Sequence, residues 1–187
     1  IRVAASTGKP LIISTGMAND DEIQEAVNTA LNYGSGDLTL LHCISGYPAP
    51  AADYNLRTLL DMKAQFGVNV GLSDHTLENT TAIAAVAMGA VIIEKHVTLD
   101  RNGGGPDDSF SLEEAGLADL CKSANTAWEA LGKINYERTV SEKGNINIRR
   151  SLYFVNSLTA GQVITDRDVQ SIRPGYGIAP KYYDQVV

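Results

Sequence analysis

Cysteine is scarce in this 187-residue sequence, which has only Cys43 and Cys121. One lies in an apolar run and the other in a helical pattern, so a disulfide framework and a Cys-rich zinc site are both excluded, and each reads as a reduced core residue. Long apolar runs are missing too: none approaches the roughly 20 residues of a membrane-spanning helix. The opening Ile1-Arg2-Val3-Ala4-Ala5 has no basic region followed by an apolar stretch and a cleavage site. A soluble cytoplasmic protein is expected. Positive charge is also short, with 15 Lys and Arg against 22 Asp and Glu and a net charge of −7. General nucleic-acid binding needs clustered cations, so nucleic acid is excluded as a partner.

What is present is an ordinary globular composition, 44% hydrophobic and 20% charged, long enough to bury a sizeable core. The charge is uneven. Residues 1–133 hold eight basic against 17 acidic side chains, whereas residues 134–187 hold seven against five, which marks a boundary.

Before that boundary, short β-branched or apolar runs alternate with longer helical patterns, the rhythm of βα units and a parallel sheet. The runs are Pro10–Ile13, Leu38–Cys43, Val68–Leu72 and Ala90–Ile93. Helices are predicted near 20–33, 55–66, 78–88 and 112–131, with Asn19 or Asp20 as the first N-cap and Ser111 with Glu114 as a capping box for the last. Such a repeat fits an open doubly wound sheet or part of an eight-stranded β/α barrel. All four strands end in groups able to bind ligands, and barrel enzymes build their sites at several strand ends, which decides for the barrel. Four units are half a barrel, and about as much chain again is expected before Ile1. Beyond residue 133 a linker, 134–148, precedes a small β-rich module, 149–187. Its extended runs are Ser151–Val155 and Val163-Ile164, and Thr165–Asp168 reads as the cap of a short helix.

His75 and His96 stand just past consecutive strands, which a parallel sheet holds about 4.8 Å apart. Two imidazoles there could converge on a metal with open positions for water or substrate. Pattern alone leaves metal ligands and hydrogen-bonding histidines equally open. His42 lies inside an apolar strand and reads as a satisfied interior histidine. Glu94 shares the parity of His96, while Lys95 points the other way. A carboxylate there could position a hydroxyl or act as acid or base, or pair with a barrel lysine. Ser14, Ser45 and Ser73 recur at three strand ends beside Gly16, Gly46 and Gly71, which would let backbone approach an anion and form a phosphate site. Gly103–Asp107 reads as a flexible loop, with Asp107 a candidate substrate ligand.

Seven ordered motifs then resemble the N-acetylneuraminate (sialic acid) synthase family over nearly the whole chain. They are Ser14-Thr15-Gly16-Met17; Tyr47-Pro48-Ala49-Pro50 with Asn55-Leu56; Gly71–Thr76; Glu94–Thr98; Gly104–Asp107 with Ser111–Glu113; Arg149–Ser151; and Arg173–Gly177. The resemblance implies the C-terminal half of a TIM-type β/α barrel, followed by the start of an antifreeze-like (SAF) domain, in a domain-swapped homodimer. It implies condensation of phosphoenolpyruvate with an N-acetylated amino sugar, giving a nine-carbon 2-keto acid and phosphate. By the same resemblance His75 and His96 bind a divalent metal, usually Mn²⁺, with Mg²⁺ or Co²⁺ as alternatives. Ser14, Ser45 and Ser73 would hold phosphoenolpyruvate, and Tyr47, Asp107 and the catalytic Glu94 the sugar. Arg173 would reach the N-acyl group of sugar bound in the other subunit.

The family often has Asn near the position of Ser45. Its members also use an early Glu and Lys residues that would precede Ile1, so this stretch alone is expected to be inactive. Asp108–Leu112 and Ser171–Gly177 look more like pseudaminic acid synthases, which take a diacetamido-trideoxy sugar, than like enzymes using N-acetylmannosamine. Two rival readings are an aldolase with a Schiff-base lysine, for which Lys95 has the wrong parity, and a non-catalytic carbohydrate-binding barrel.

Overall fold

Asn19 opens the first long helix by accepting a hydrogen bond from Glu22 N, while the Glu22 carboxylate accepts one from Asn19 N. This reciprocal cap, with three acidic residues in the first turn, suits the positive end of the helix dipole. In the computed structural model, which describes residues 1–34 and 36–187, a short helix α1 (Arg2–Ala5) comes first. Strand and helix then alternate: β1 (Leu11–Ser14), α2 (Asp20–Asn32), β2 (Leu38–Cys43), α3 (Thr58–Phe66), β3 (Asn69–Asp74), α4 (Thr80–Ala87), β4 (Ile93–Lys95) and α5 (Glu114–Leu131). The chain divides into two compact units, Ile1–Gly132 and Lys133–Val187.

In the first unit the strands form one parallel sheet in the order β1-β2-β3-β4, half of a TIM-type barrel. Leu38 and Leu40 of β2 and Val70 and Leu72 of β3 alternate onto one face. There they join Val27 and Ala30 of α2, Leu59, Met62 and Phe66 of α3, and Ala82 and Ala85 of α4 in a buried core. Fully burying a Val, Leu, Met or Phe side chain there contributes about 1.5–3 kcal/mol. The opposite face carries Ile12, Ser14, Leu41, Cys43, Ser73 and Glu94, and at β1 and β4 it is exposed. Gly71 lies on that face as well, where a Cβ would meet the Ile92 carbonyl and the Leu41 side chain, each at 2.6 Å. Its smallness serves strand packing, which corrects its reading as an opening for an anion.

Local signals misplaced several boundaries. β3 runs to Asp74, so Ser73 is a strand residue, and β4 lies at Ile93–Lys95 because Leu72 of β3 pairs with Ile93. Ser111 does not cap α5: its hydroxyl donates to the Asp107 carbonyl, and Glu113 takes the N-cap position. Cys43 is buried but Cys121 is exposed on α5. Among the described residues no helix is long and apolar enough to cross a membrane.

The second unit pairs β5 (Ser151–Phe154) antiparallel with β6 (Val169–Ile172) and includes short helices α6 (Val140–Lys143) and α7 (Tyr183–Val186). Val163-Ile164 is not a strand, and Thr165–Asp168 is a turn, not the start of a helix. The partner of β5 is the segment after that turn because the Asp168 carboxylate closes it, accepting from Thr165 Oγ1 at 2.7 Å and Thr165 N at 2.9 Å. Hydrogen bonds from the Thr165 hydroxyl, then from its backbone N–H, then from Asn156, hold the Asp168 carboxyl below its ordinary value. A depressed carboxyl pKa stabilises the fold above the unfolded-state value, and that contribution disappears as pH falls through the lowered folded-state value. Acid should therefore loosen the β5–β6 turn, and Asp168→Asn should remove this pH dependence. A carboxyl-carbon NMR titration checks it; a midpoint at or above that of an unstructured Asp would contradict the assignment.

Candidate active site at the strand ends

Tyr54, wholly buried, sets the end of β3. Its hydroxyl accepts from His75 N at 2.7 Å and donates to the Ser73 carbonyl at 3.3 Å. Burial pushes this phenol up to about 12, so it remains protonated and serves both partners. Beyond it the His75 ring nitrogen Nδ1 lies 2.8 Å from the Ile44 carbonyl. A carbonyl only accepts, so Nδ1 carries the proton and Nε2 is left with the lone pair that a metal needs.

His75 and His96 lie together, with ring centroids 5.2 Å apart. The Tyr47 ring is 4.2 Å from that of His75 and 5.9 Å from that of His96. Phe110 closes the other side, 5.2 Å from His96 and 5.6 Å from Tyr47. The Asp107 carboxylate is 3.5 Å from His96 Nδ1. Thus His75, His96, Tyr47 and Asp107 form one cluster.

Ser73 and Glu94 are opposite in register, and the serine hydroxyl donates to the Glu94 carboxylate at 2.7 Å. Ser45 is packed against Gly16, where a Cβ would come within 2.5 Å of its Oγ. Ser14 is exposed at the end of β1, opposite Leu41 and two strands from Ser73. Arg173 is exposed just after β6, beside Pro174, whose carbonyl accepts from the Tyr153 hydroxyl at 2.7 Å. His42 faces the helices, its Nε2 bonded to the Tyr54 carbonyl, and stays outside the cluster.

The glycine loop before Asp107 is tied by hydrogen bonds to the Asp108 carboxylate. Asp108 accepts from Gly105 N at 2.7 Å and from the Thr98 hydroxyl at 2.6 Å, and the Thr98 bond, then that of Gly105, lowers its carboxyl pKa. Side chains at Gly103 or Gly105 would strike that carboxylate at 2.8 Å. After the loop, Leu112 N donates to the His96 carbonyl and Thr98 N to the Leu112 carbonyl, a short parallel bridge that draws Phe110 onto His96. Sequence reasoning missed Phe110 because such a long-range return leaves no periodicity to read.

The donor set fits a divalent metal with two imidazole ligands. Asp107 sits beside His96, but among the described residues no set of three His, Cys, Asp or Glu is arranged to hold a metal ion, so substrate and water oxygens would complete the coordination.

A parallel β/α half-barrel with histidines and carboxylates at its strand ends defines the class of barrel proteins that build their sites on that rim. Within that class, this chain belongs to the NeuB family, whose family model matches residues 1–136; residues 149–187 match the SAF domain. It is 39% identical over 188 residues to N,N'-diacetyllegionaminic acid synthase of Campylobacter jejuni, covering 99% of this chain and 56% of that protein. It is 34% identical over 190 residues to pseudaminic acid synthase of Helicobacter pylori, covering 100% and 55%. The crystal structure of N-acetylneuraminic acid (sialic acid) synthetase from Leptospira borgpetersenii superposes with a TM-score of 0.71 at 36% identity, covering 79% of this chain and 52% of that one. The chain spans about half the length of the curated relatives it matches. These relatives make the family one of nonulosonic acid synthases.

Proposed function

We propose that the full-length protein condenses phosphoenolpyruvate with an N-acetylated amino sugar to form a nonulosonic acid and phosphate. The observation that carries this reading is the His75–His96 pair, ringed by Tyr47, Phe110 and Asp107, in a chain of this family. A divalent ion, Mn²⁺ by preference, would be held by the two imidazoles and would supply Lewis-acid polarisation of the sugar aldehyde. The enol carbon of phosphoenolpyruvate forms the new bond to the aldehyde carbon, the aldehyde oxygen takes up a proton, and water adds to the resulting cation before phosphate leaves. Glu94, which accepts from the Ser73 hydroxyl, moves a proton between the reacting oxygens. Ser14, Ser45 and Ser73 bind phosphoenolpyruvate; Tyr47 and Asp107 orient the sugar. The protein works in the cytoplasm as a domain-swapped homodimer in which Arg173 reaches the partner's sugar, and the stretch described is inactive by itself.

The motifs at Asp108–Leu112 and Ser171–Gly177 favour pseudaminic acid as product. A second reading, N,N'-diacetyllegionaminic acid, is favoured by 39% identity against 34%. Phosphate release by the full-length protein with phosphoenolpyruvate and Mn²⁺ separates them when N-acetylmannosamine is compared with the diacetamido sugars corresponding to pseudaminic and legionaminic acids. Turnover with one sugar names the product; release with none would sink the synthase reading. In the same assay Arg173→Ala should raise KM for the sugar about 10- to 100-fold, the loss of a charge-assisted hydrogen bond, and leave KM for phosphoenolpyruvate unchanged. A rise for phosphoenolpyruvate alone would remove Arg173 from the sugar site.

A further inference from the structure

Lys95 and Asp74 form an ion pair with Nζ–Oδ2 at 2.7 Å, and their side chains are only 3% and 0% exposed. They lie on the face of the sheet opposite Ser73 and Glu94, and each adjoins one histidine of the pair: Asp74 precedes His75, and Lys95 precedes His96. Lys95 also donates to the Thr76 carbonyl at 2.7 Å and to the Glu78 carbonyl at 2.9 Å. The second oxygen of Asp74 accepts from Thr76 N at 2.9 Å. Both chain neighbours of His75 are therefore tied to Lys95, which precedes His96.

We propose that the Asp74–Lys95 pair positions the two metal-binding histidines, acting as a buried clamp behind the site that sets the separation of His75 and His96. A buried ion pair is a poor way to gain stability, because an apolar pair of similar volume avoids the cost of taking two charges from water. What the pair supplies is direction. Its charge-assisted hydrogen bonds hold the ends of β3 and β4 in one relative position, and metal ligands need their donors placed to within a few tenths of an ångström. Neither side chain reaches the substrate face, so both are positioning residues. The inference rests on the metal-site reading above.

The test is Mn²⁺ binding by the full-length protein, with the metal-free unfolding midpoint measured beside it. Wild type and His75→Ala come first: no binding by wild type, or binding that survives His75→Ala, would sink the metal-site reading itself. Given His-dependent binding, Lys95→Met and the double variant Asp74→Leu/Lys95→Met should weaken Mn²⁺ affinity about 10- to 100-fold, the range for partners that orient metal ligands. The double variant, which leaves no unpaired buried charge, should keep its unfolding midpoint near that of wild type. Lys95→Arg, which preserves the pair, should bind more tightly than either. A purely structural role would lower the midpoint without changing the affinity of folded protein. A folded double variant with wild-type Mn²⁺ affinity would overturn the proposal, and so would a double variant that cannot fold, since the pair would then serve the fold rather than the site.

Discussion

Full-length protein carrying His75→Ala or His96→Ala should lose its Mn²⁺ and, with it, phosphate release from phosphoenolpyruvate. Asp107 lies beside His96, but among the described residues no set of three His, Cys, Asp or Glu is arranged to hold a metal ion, so removing one imidazole takes away half of the imidazole donors. Loss of an outer partner alone weakens metal sites about 10- to 100-fold, and loss of a ligand should exceed that range. The two variants should differ in stability. His75→Ala removes one of the two donors to the Ile44 carbonyl, which keeps its bond from Gly46 N, and takes from the Tyr47 ring its neighbour at 4.2 Å; the lost hydrogen bond costs about 0.5–1.5 kcal/mol. His96→Ala loses ring contacts with Phe110 and Tyr47 and is expected to be milder. Metal content after gel filtration, measured beside urea unfolding, separates the two effects. Wild-type metal content in either folded variant would strike that histidine from the ligand set.

Glu94→Gln should reduce kcat about 10²- to 10⁴-fold, the usual contribution of a positioned acid or base, while Mn²⁺ stoichiometry stays that of wild type. The substitution keeps shape and an acceptor oxygen for the Ser73 hydroxyl, so the 2.7 Å contact survives and only the charge and proton affinity change. Ser73→Ala is the companion: it frees the carboxylate and removes the proposed phosphoenolpyruvate contact, so KM for phosphoenolpyruvate should rise. A kcat for Glu94→Gln within about fivefold of wild type would leave Glu94 as a binding group without a proton-transfer role.

Strand parity makes the directions of Glu94, Lys95 and His96 legible in the sequence. In a strand the side-chain direction alternates, so the sequence alone places Lys95 away from the site. That parity also weakens the Schiff-base rival, because the Lys95 amine is taken by Asp74 and the carbonyls of Thr76 and Glu78. The start of helix α2 was legible from Asn19 as an N-cap for the same local reason. Ser111 and Glu114 offered the same signal and failed, because the Asp107 carbonyl and the bridge at Leu112 claim that segment first. Tertiary hydrogen bonds outweigh a cap contributing about 1 kcal/mol.

By itself the sequence determined the βα rhythm, the parallel order of the strand ends and which residue types stand on the rim, since each follows from periodicities of two and 3.6 residues and from ordered motifs. Only the tertiary structure decided that Phe110 and Asp107 return to His96, that the Ile44 carbonyl selects the tautomer of His75, and that Asp74 reaches Lys95 across the sheet. These contacts join residues 11–31 positions apart, and their partners are chosen by strand register and loop closure, which no local pattern encodes.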